Sequence, residues 1–379
     1  MKRSRSYKLL AISIGILAPL LMLELSIRCI DASRGRGFFS SSRQRITGSG
    51  PSVPFRMFGF TPYRTVGGVR VISSVHREPF PLRKPPGTFR IVCFGGSTTE
   101  DSISYRASRI HYPMLLGQRL RERRPDQAIE VINVGNSAYA TPQFIILLAL
   151  DVLSWEPDLI ILSENINDLI AAYFPDFTYD YSNKFSHPYY MNSSDGTEDR
   201  LESITDIIFR GSQLYWVGKR ALKRAFPKQF AVRRRAYGDA PPPDALAVFR
   251  RNLTSFVALA KRNGVQVILG TQPLEPSEEY FHRHMGFKSY NDVAVYPLHA
   301  EFVKHHAAYN DAIKGVAAAE GIASADCASV LGTTREYFKD FVHYTPQGTR
   351  ALADCYADFL LRHVDALKRA GKFPAIPAS

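Results

Sequence analysis

The sequence predicts a doubly wound α/β fold, a three-layer sandwich around a five-stranded parallel sheet, with a transmembrane helix at its N-terminus. Three observations carry that reading. Short stretches such as Leu159-Ile160-Ile161-Leu162 are apolar at every position, as strands buried on both faces must be. They alternate with longer segments of helical period. A charge-free run from Leu9 to Leu23 follows a basic head of Lys2, Arg3, Arg5 and Lys8.

That run comes first in the chain. Fifteen helical residues reach about 22 Å, and extension to Ile30 gives about 33 Å, near the hydrocarbon thickness of a bilayer. A cleaved signal peptide is the rival, but no A-x-A site follows, and Arg28 before Cys29 does not suit a lipoprotein cleavage box. Residues 1–30 therefore read as an uncleaved, single-pass anchor. Its short basic head argues for an exported body, although Arg34, Arg36, Arg43 and Arg45 lie just beyond the run. Residues 31–54, rich in Ser, Arg and Gly, read as a flexible linker. Residues 55–88 alternate aromatic and β-branched runs with Gly67-Gly68 and several prolines, as hairpins packed on a larger domain do.

The body occupies residues 89–379. Its expected strands are 89–94, 129–134, 158–163, 265–270 and 322–326, and its expected helices 112–124, 142–155, 244–262, 301–320 and 346 to about 370. Five strands with such connections make a flavodoxin-like sandwich, in which ligands bind beyond the strands' C-terminal ends. Residues 171–243 form an insertion after the third strand. The chain of 379 residues, 45% hydrophobic, can bury a large core. Its 48 Lys and Arg against 35 Asp and Glu give a net charge of +13, concentrated at the N-terminus and between Lys219 and Arg235. That distribution suits anionic lipid or an acidic polymer; no nucleic-acid module is recognisable. The four cysteines lack metal-site spacing, and Cys327 and Cys355 are free to pair in an oxidising compartment.

The first strand leads into Phe94-Gly95-Gly96-Ser97-Thr98-Thr99-Glu100. Glycines force a sharp exit, and a hydroxyl there is placed either as a nucleophile or beside an anion held by backbone N–H groups; a plain βα turn has the same composition. The second strand ends at Gly135-Asn136-Ser137, the third at Asn165-Ile166-Asn167-Asp168, the fourth at Thr271-Gln272-Pro273, so all four turns share one rim. Asp326 at the end of the fifth reads as a structural cap. A serine needs a base, and Asp340-Phe341-Val342-His343 precedes the closing helix, whose start Pro346 fixes. A carboxylate three residues before a histidine in a loop can hold one ring nitrogen while the other meets a hydroxyl.

FGGSTTE, VGNSAYAT, NIND and DFVH, in that order, resemble the four blocks of the SGNH (GDSL-like) hydrolases over residues 89–367. The resemblance implies Ser97 as nucleophile, His343 as general base and then acid, and Asp340 as its orienting carboxylate. It further implies an oxyanion hole from the N–H groups of Ser97 and Gly135 and the side-chain amide of Asn167. Thr98, Asn136 and Gln272 are the expected substrate contacts. No metal or organic cofactor is implied. Two positions depart from the pattern: Gly96 stands where GDS-type members carry Asp, and Asn165 where Gly is usual.

The insertion is the expected substrate cover. Tyr173, Phe174, Phe177, Tyr179, Tyr181, Phe185, Tyr189 and Tyr190 crowd its first part. Such aromatics either stack on sugar rings or fold a lid onto its own body. Leu214-Tyr215-Trp216-Val217, followed by Lys219, Arg220, Lys223 and Arg224, reads either as an interfacial helix or as a solvated basic face. The expected activity is a membrane-anchored, extracytoplasmic serine esterase acting on short acyl esters of a glycan. The alternatives are a glycan O-acyltransferase with the same triad, a lysophospholipid esterase, and a noncatalytic glycan-binding protein, which would have no need of Asp340 and His343 at that spacing. The oligomeric state is not legible.

Overall fold

The computed structural model describes residues 2–33, 53–185 except 54, 57 and 175, 209–225 except 210, 233–237, 240–285, 289–290 and 293–364. Two compact units result, one of residues 1–50, 188–235 and 289–294, the other of residues 51–187, 236–288 and 295–379.

In the larger unit an antiparallel sheet of β1 (Tyr63–Val66), β2 (Val69–Ser73) and β3 (Pro79–Pro81) precedes the body. Five parallel strands follow: β4 (Thr88–Gly95), β5 (Ala128–Asn133), β6 (Leu159–Ser163), β7 (Gln266–Gly270) and β8 (Ala323–Ala325). Their spatial order is β8-β7-β6-β4-β5. The chain starts in the interior, moves outward once, returns, and continues on the other side. The switch point therefore lies between β4 and β6, where the connections leave in opposite directions and open a crevice. Strands β4 and β6 are buried at every position, which is why their sequences lack alternation.

The small sheet is tied to the body by hydrogen bonds rather than by a shared strand. Arg90, fully buried in β4, donates to the carbonyls of Trp155 at 2.6 Å and Pro81 at 3.0 Å and pairs with Glu130 at 2.7 Å. A buried guanidinium needs all of these acceptors, so β3 is held by the demands of one side chain. The closing helix α1 (Pro346–His363) begins with Pro346 at its first turn and Thr345 capping the N–H of Gly348. Cys355 on this helix is bonded to Cys327 across 28 residues.

The turn after β4 carries two short helical segments, α2 (Ser97–Glu100) and α3 (Ser102–Ser108), joined by Asp101 at φ 56°. Its buried carboxylate accepts from Thr349 Oγ1 at 2.8 Å and from the Tyr112 N–H at 3.3 Å, while burial pushes its pKa up to about 7. A carboxyl that titrates near 7 when folded and near 4 when unfolded binds more protons in the folded state between those values. Its stabilising contribution is complete below pH 4 and lost as pH rises to 7. Asp101→Asn keeps a residue tolerant of the left-handed region. Relative to this variant, wild type should lose stability by up to about 1.4 kcal/mol per pH unit across that window. Denaturant melts at pH 5 and pH 7 measure the difference. The comparison with the variant matters because burial lowers His306 to about 3, and that group acts in the opposite direction up to pH 6.5.

In the smaller unit, residues Lys2–Ser33 are helical. Among the described residues, however, no helix is long and apolar enough to cross a membrane. Glu24 and Arg28 fall within the expected extension to Ile30, beyond the charge-free run of about 22 Å. The Glu24 carboxylate accepts from the N–H groups of Gln213 and Leu214, at 2.8 and 2.7 Å, at the start of the helix Gln213–Ala225. An acidic group on those N-terminal donors satisfies amides that have no intrahelical partner.

Candidate active site

Gly96 is the last residue before α2, and Ser97 occupies the first helical position, where its N–H has no carbonyl one turn behind it. The His343 Nε2 lies 2.7 Å from Ser97 Oγ. On its other side, His343 Nδ1 is 2.8 and 3.0 Å from the two Asp340 oxygens. With Nδ1–H donating to the carboxylate, Nε2 is left to accept from the hydroxyl. The Asp340 Oδ1 also accepts from the backbone N–H groups of Val342 at 3.2 Å and His343 at 3.1 Å, so the loop itself orients the carboxylate. Burial alone would raise the Asp340 pKa; the hydrogen bond and charge of His343, then the charge of His284, hold it well below the usual carboxylate range. An ionised carboxylate, an imidazole of fixed tautomer and a hydroxyl in line can move a proton off oxygen and return it to a leaving group.

Asn167 sits in the first turn of the helix Ile166–Tyr173. Its side-chain amide nitrogen is buried without a hydrogen-bond acceptor. A Cβ built on Gly96 would fall 2.3 Å from that nitrogen, which places the amide against the nucleophile turn. A buried donor with nothing to donate to is costly unless an oxyanion arrives. Asn167→Ala should therefore lower kcat by about two to three decades, with a small change in KM, as steady-state ester hydrolysis measures.

Gly135 presses on the same turn, since a Cβ there would lie 2.3 Å from the Glu100 nitrogen. Its N–H donates to Asn133 Oδ1 at 2.9 Å. Thr98 and Gln272 lie under the rim, where Gln272 Nε2 donates to Thr98 Oγ1 at 3.1 Å and Gln272 Oε1 accepts from the Ile166 N–H at 2.9 Å. Both are buried, so they brace the turn from below instead of facing the open rim expected of substrate contacts. Asn136 is likewise buried and donates to the carbonyl of Ser137 at 3.1 Å.

The two departures from the pattern have structural reasons. A Cβ at Gly96 would also fall 2.5 Å from Glu164 Oε2, so a side chain at position 96 has no room. Asn165 turns away from the site, donating to the carbonyl of His306 and to Asn310 Oδ1, both at 2.9 Å. In the insertion, Tyr173, Phe174 and Tyr181 are buried, which makes them part of the body's packing, while Tyr179 is exposed. Tyr189 and Tyr190 lie outside the described residues.

Three residues near the site carry no motif that singles them out. Glu164 directly follows the apolar run of β6, Lys184 lies among aromatics in the insertion, and His284 lies in the last turn of the helix Glu278–Met285. The His284 Nδ1 is 3.6 Å from Asp340 Oδ1, and its ring lies beside that of His343, with centroids 5.2 Å apart. Among the described residues, His284, Asp340 and His343 bring ligating atoms within 4.8 Å of one another, near enough for a divalent cation, but the relay to Ser97 already accounts for the placement of two of them.

Residues 93–351 match the model of the GDSL-like lipase/acylhydrolase family. No curated protein matches the sequence. Among solved structures, an acetylxylan esterase from Geobacillus stearothermophilus is similar at 16% identity, over 73% of this chain and 94% of that one, with a TM-score of 0.42. A GDSL-like lipase from Bacteroides thetaiotaomicron is similar at 15% identity, over 73% and 89%, with a TM-score of 0.39. The family match spans Ser97, Asn167, Asp340 and His343, and the chain belongs to the GDSL-like lipase/acylhydrolase family of carboxylic-ester hydrolases.

Proposed function

We propose that this esterase removes short acyl groups, acetyl foremost, from an exported or cell-surface glycan through an acyl-enzyme on Ser97. The observation that carries the mechanism is the continuous relay from Asp340 through His343 to Ser97, with contacts of 2.8 and 2.7 Å. His343 takes the Ser97 proton as Oγ attacks the ester carbonyl, and the developing oxyanion meets the Asn167 amide and the Ser97 N–H, with Gly135 beside them. The alcohol leaves with the proton from His343, and water then releases the acid by the same steps. A sugar hydroxyl in place of that water would make the reaction acyl transfer.

Export is supported by the Cys327–Cys355 bond, a pairing that persists in oxidising compartments. Attachment to a membrane is supported by the basic head of the first helix and by the exposure of Leu20, Leu21, Met22 and Leu23, four consecutive positions that face all sides of a helix. The test is hydrolysis by the full chain of p-nitrophenyl esters from acetyl to palmitoyl, together with acetylated oligosaccharides. Release of acetate from the oligosaccharide and a fall in kcat/KM with chain length are expected. Preference for long chains would replace this reading with a lipid esterase.

A further inference from the structure

Glu164 and Lys184 converge on the oxyanion amide from opposite sides. The Glu164 side chain is buried, and its two oxygens accept from different segments: Oε2 from the Gly96 N–H at 2.7 Å, Oε1 from the Asn167 N–H at 2.9 Å. One carboxyl thus ties the residue before the nucleophile to the residue that carries the oxyanion donor. Lys184, fully buried, extends its ammonium to the Asn167 carbonyl at 2.9 Å. Asn167 is therefore gripped at its N–H by an acid and at its carbonyl by a cation, while its side-chain amide is left with no acceptor.

The charges around this residue make the cation more than a brace. Asp168, also buried, accepts from the Thr141 N–H at 3.1 Å and stands next to Asn167. Two acids close to a site where negative charge develops would oppose it, and the opposition is strong in a water-poor interior. Burial, then the neighbouring Asp168, pushes Glu164 up to about 8, and the charge of Lys184 acts against that rise at both acids. The insertion supplies a counter-charge to the buried acids under the oxyanion site.

We infer that Lys184 is a positioning residue for ester hydrolysis, acting with Glu164 to fix the Asn167 amide and to offset the acids beneath it, so that the insertion completes the oxyanion site as well as covering it. The absence of a side chain at position 96 follows from the same device, because the Glu164 carboxyl occupies that space from the neighbouring strand. This inference rests on the esterase reading of Ser97.

The experiment uses the full chain and two variants, Lys184→Met and the charge-compensated Glu164→Gln/Lys184→Met. Each is assayed for kcat and KM on p-nitrophenyl acetate and for the rate at which a fluorophosphonate labels Ser97, with rates expressed per active site titrated. Phosphonylation places an oxygen where the oxyanion forms, so it reports that site without knowledge of the natural substrate. Lys184→Met should lower kcat and the labelling rate together by about tenfold to a hundredfold, with KM changed less than about threefold. The double variant should regain thermal stability while its kcat and labelling rate stay low. Wild-type rates per active site in both variants would overturn the inference, since the lysine would then serve only folding. Wild-type protein that neither hydrolyses the ester nor accepts the label would instead overturn the esterase reading.

Discussion

Ser97→Ala is expected to lower kcat on p-nitrophenyl acetate by about five to six decades, leaving only the acceleration that binding and oxyanion stabilisation provide. The loss is this large because the relay ends on this hydroxyl: His343 Nε2 faces Ser97 Oγ at 2.7 Å. The variant should fold normally. Ala is well tolerated at a first helical turn, Ser97 is only half-buried, and the hydrogen bonds that hold the turn come from the carbonyls of Gly96 and Ser97, which the substitution leaves in place. Thermal melts should therefore superpose while fluorophosphonate labelling disappears. Retention of more than about one per cent of wild-type kcat would require another nucleophile.

What the sequence revealed about this turn, and what it did not, divides along a physical line. Strand β4 and the turn after it were legible because their signals are local: a run of apolar residues, two glycines and a serine. The order of the turns along the chain, combined with the rule that α/β sheets bind ligands at strand ends, was enough to bring Ser97, Asn167 and His343 to one rim. Pro346 and the carboxylate three residues before His343 likewise act within a single loop.

Contacts made across the fold were not legible in this way. Glu164 acquires its place from the Asn167 N–H in its own turn and from the Gly96 N–H 68 positions earlier, and Lys184 from a carbonyl seventeen positions earlier. Thr98 and Gln272 follow strand ends, where rim residues sit, but one bond between them, formed beneath the rim, turns both inward. In the first helix the apolar run is evident, but Glu24 also belongs to the start of another helix, a partnership visible only when residues 24 and 214 are adjacent.

Asp340→Asn should cost nearly as much as removal of the nucleophile, about four decades in kcat, with KM little changed. The carboxylate accepts from Nδ1–H and so commits the imidazole to the tautomer whose Nε2 receives the Ser97 proton. An amide at the same position can offer its NH2 to Nδ1, which favours the opposite tautomer and turns an N–H toward Ser97. It also removes the negative charge that steadies the imidazolium formed during attack. Stability should respond with a definite sign. The folded Asp340 has its pKa held below the ordinary carboxylate range, so its contribution is present above about pH 4 and lost as pH falls through the folded value. The gap in thermal stability between wild type and Asp340→Asn should accordingly be widest at neutral pH and close on acidification. A gap that widens toward acid would mean that the carboxylate is not stabilised by its two histidine neighbours, and the relay would then need another source of orientation.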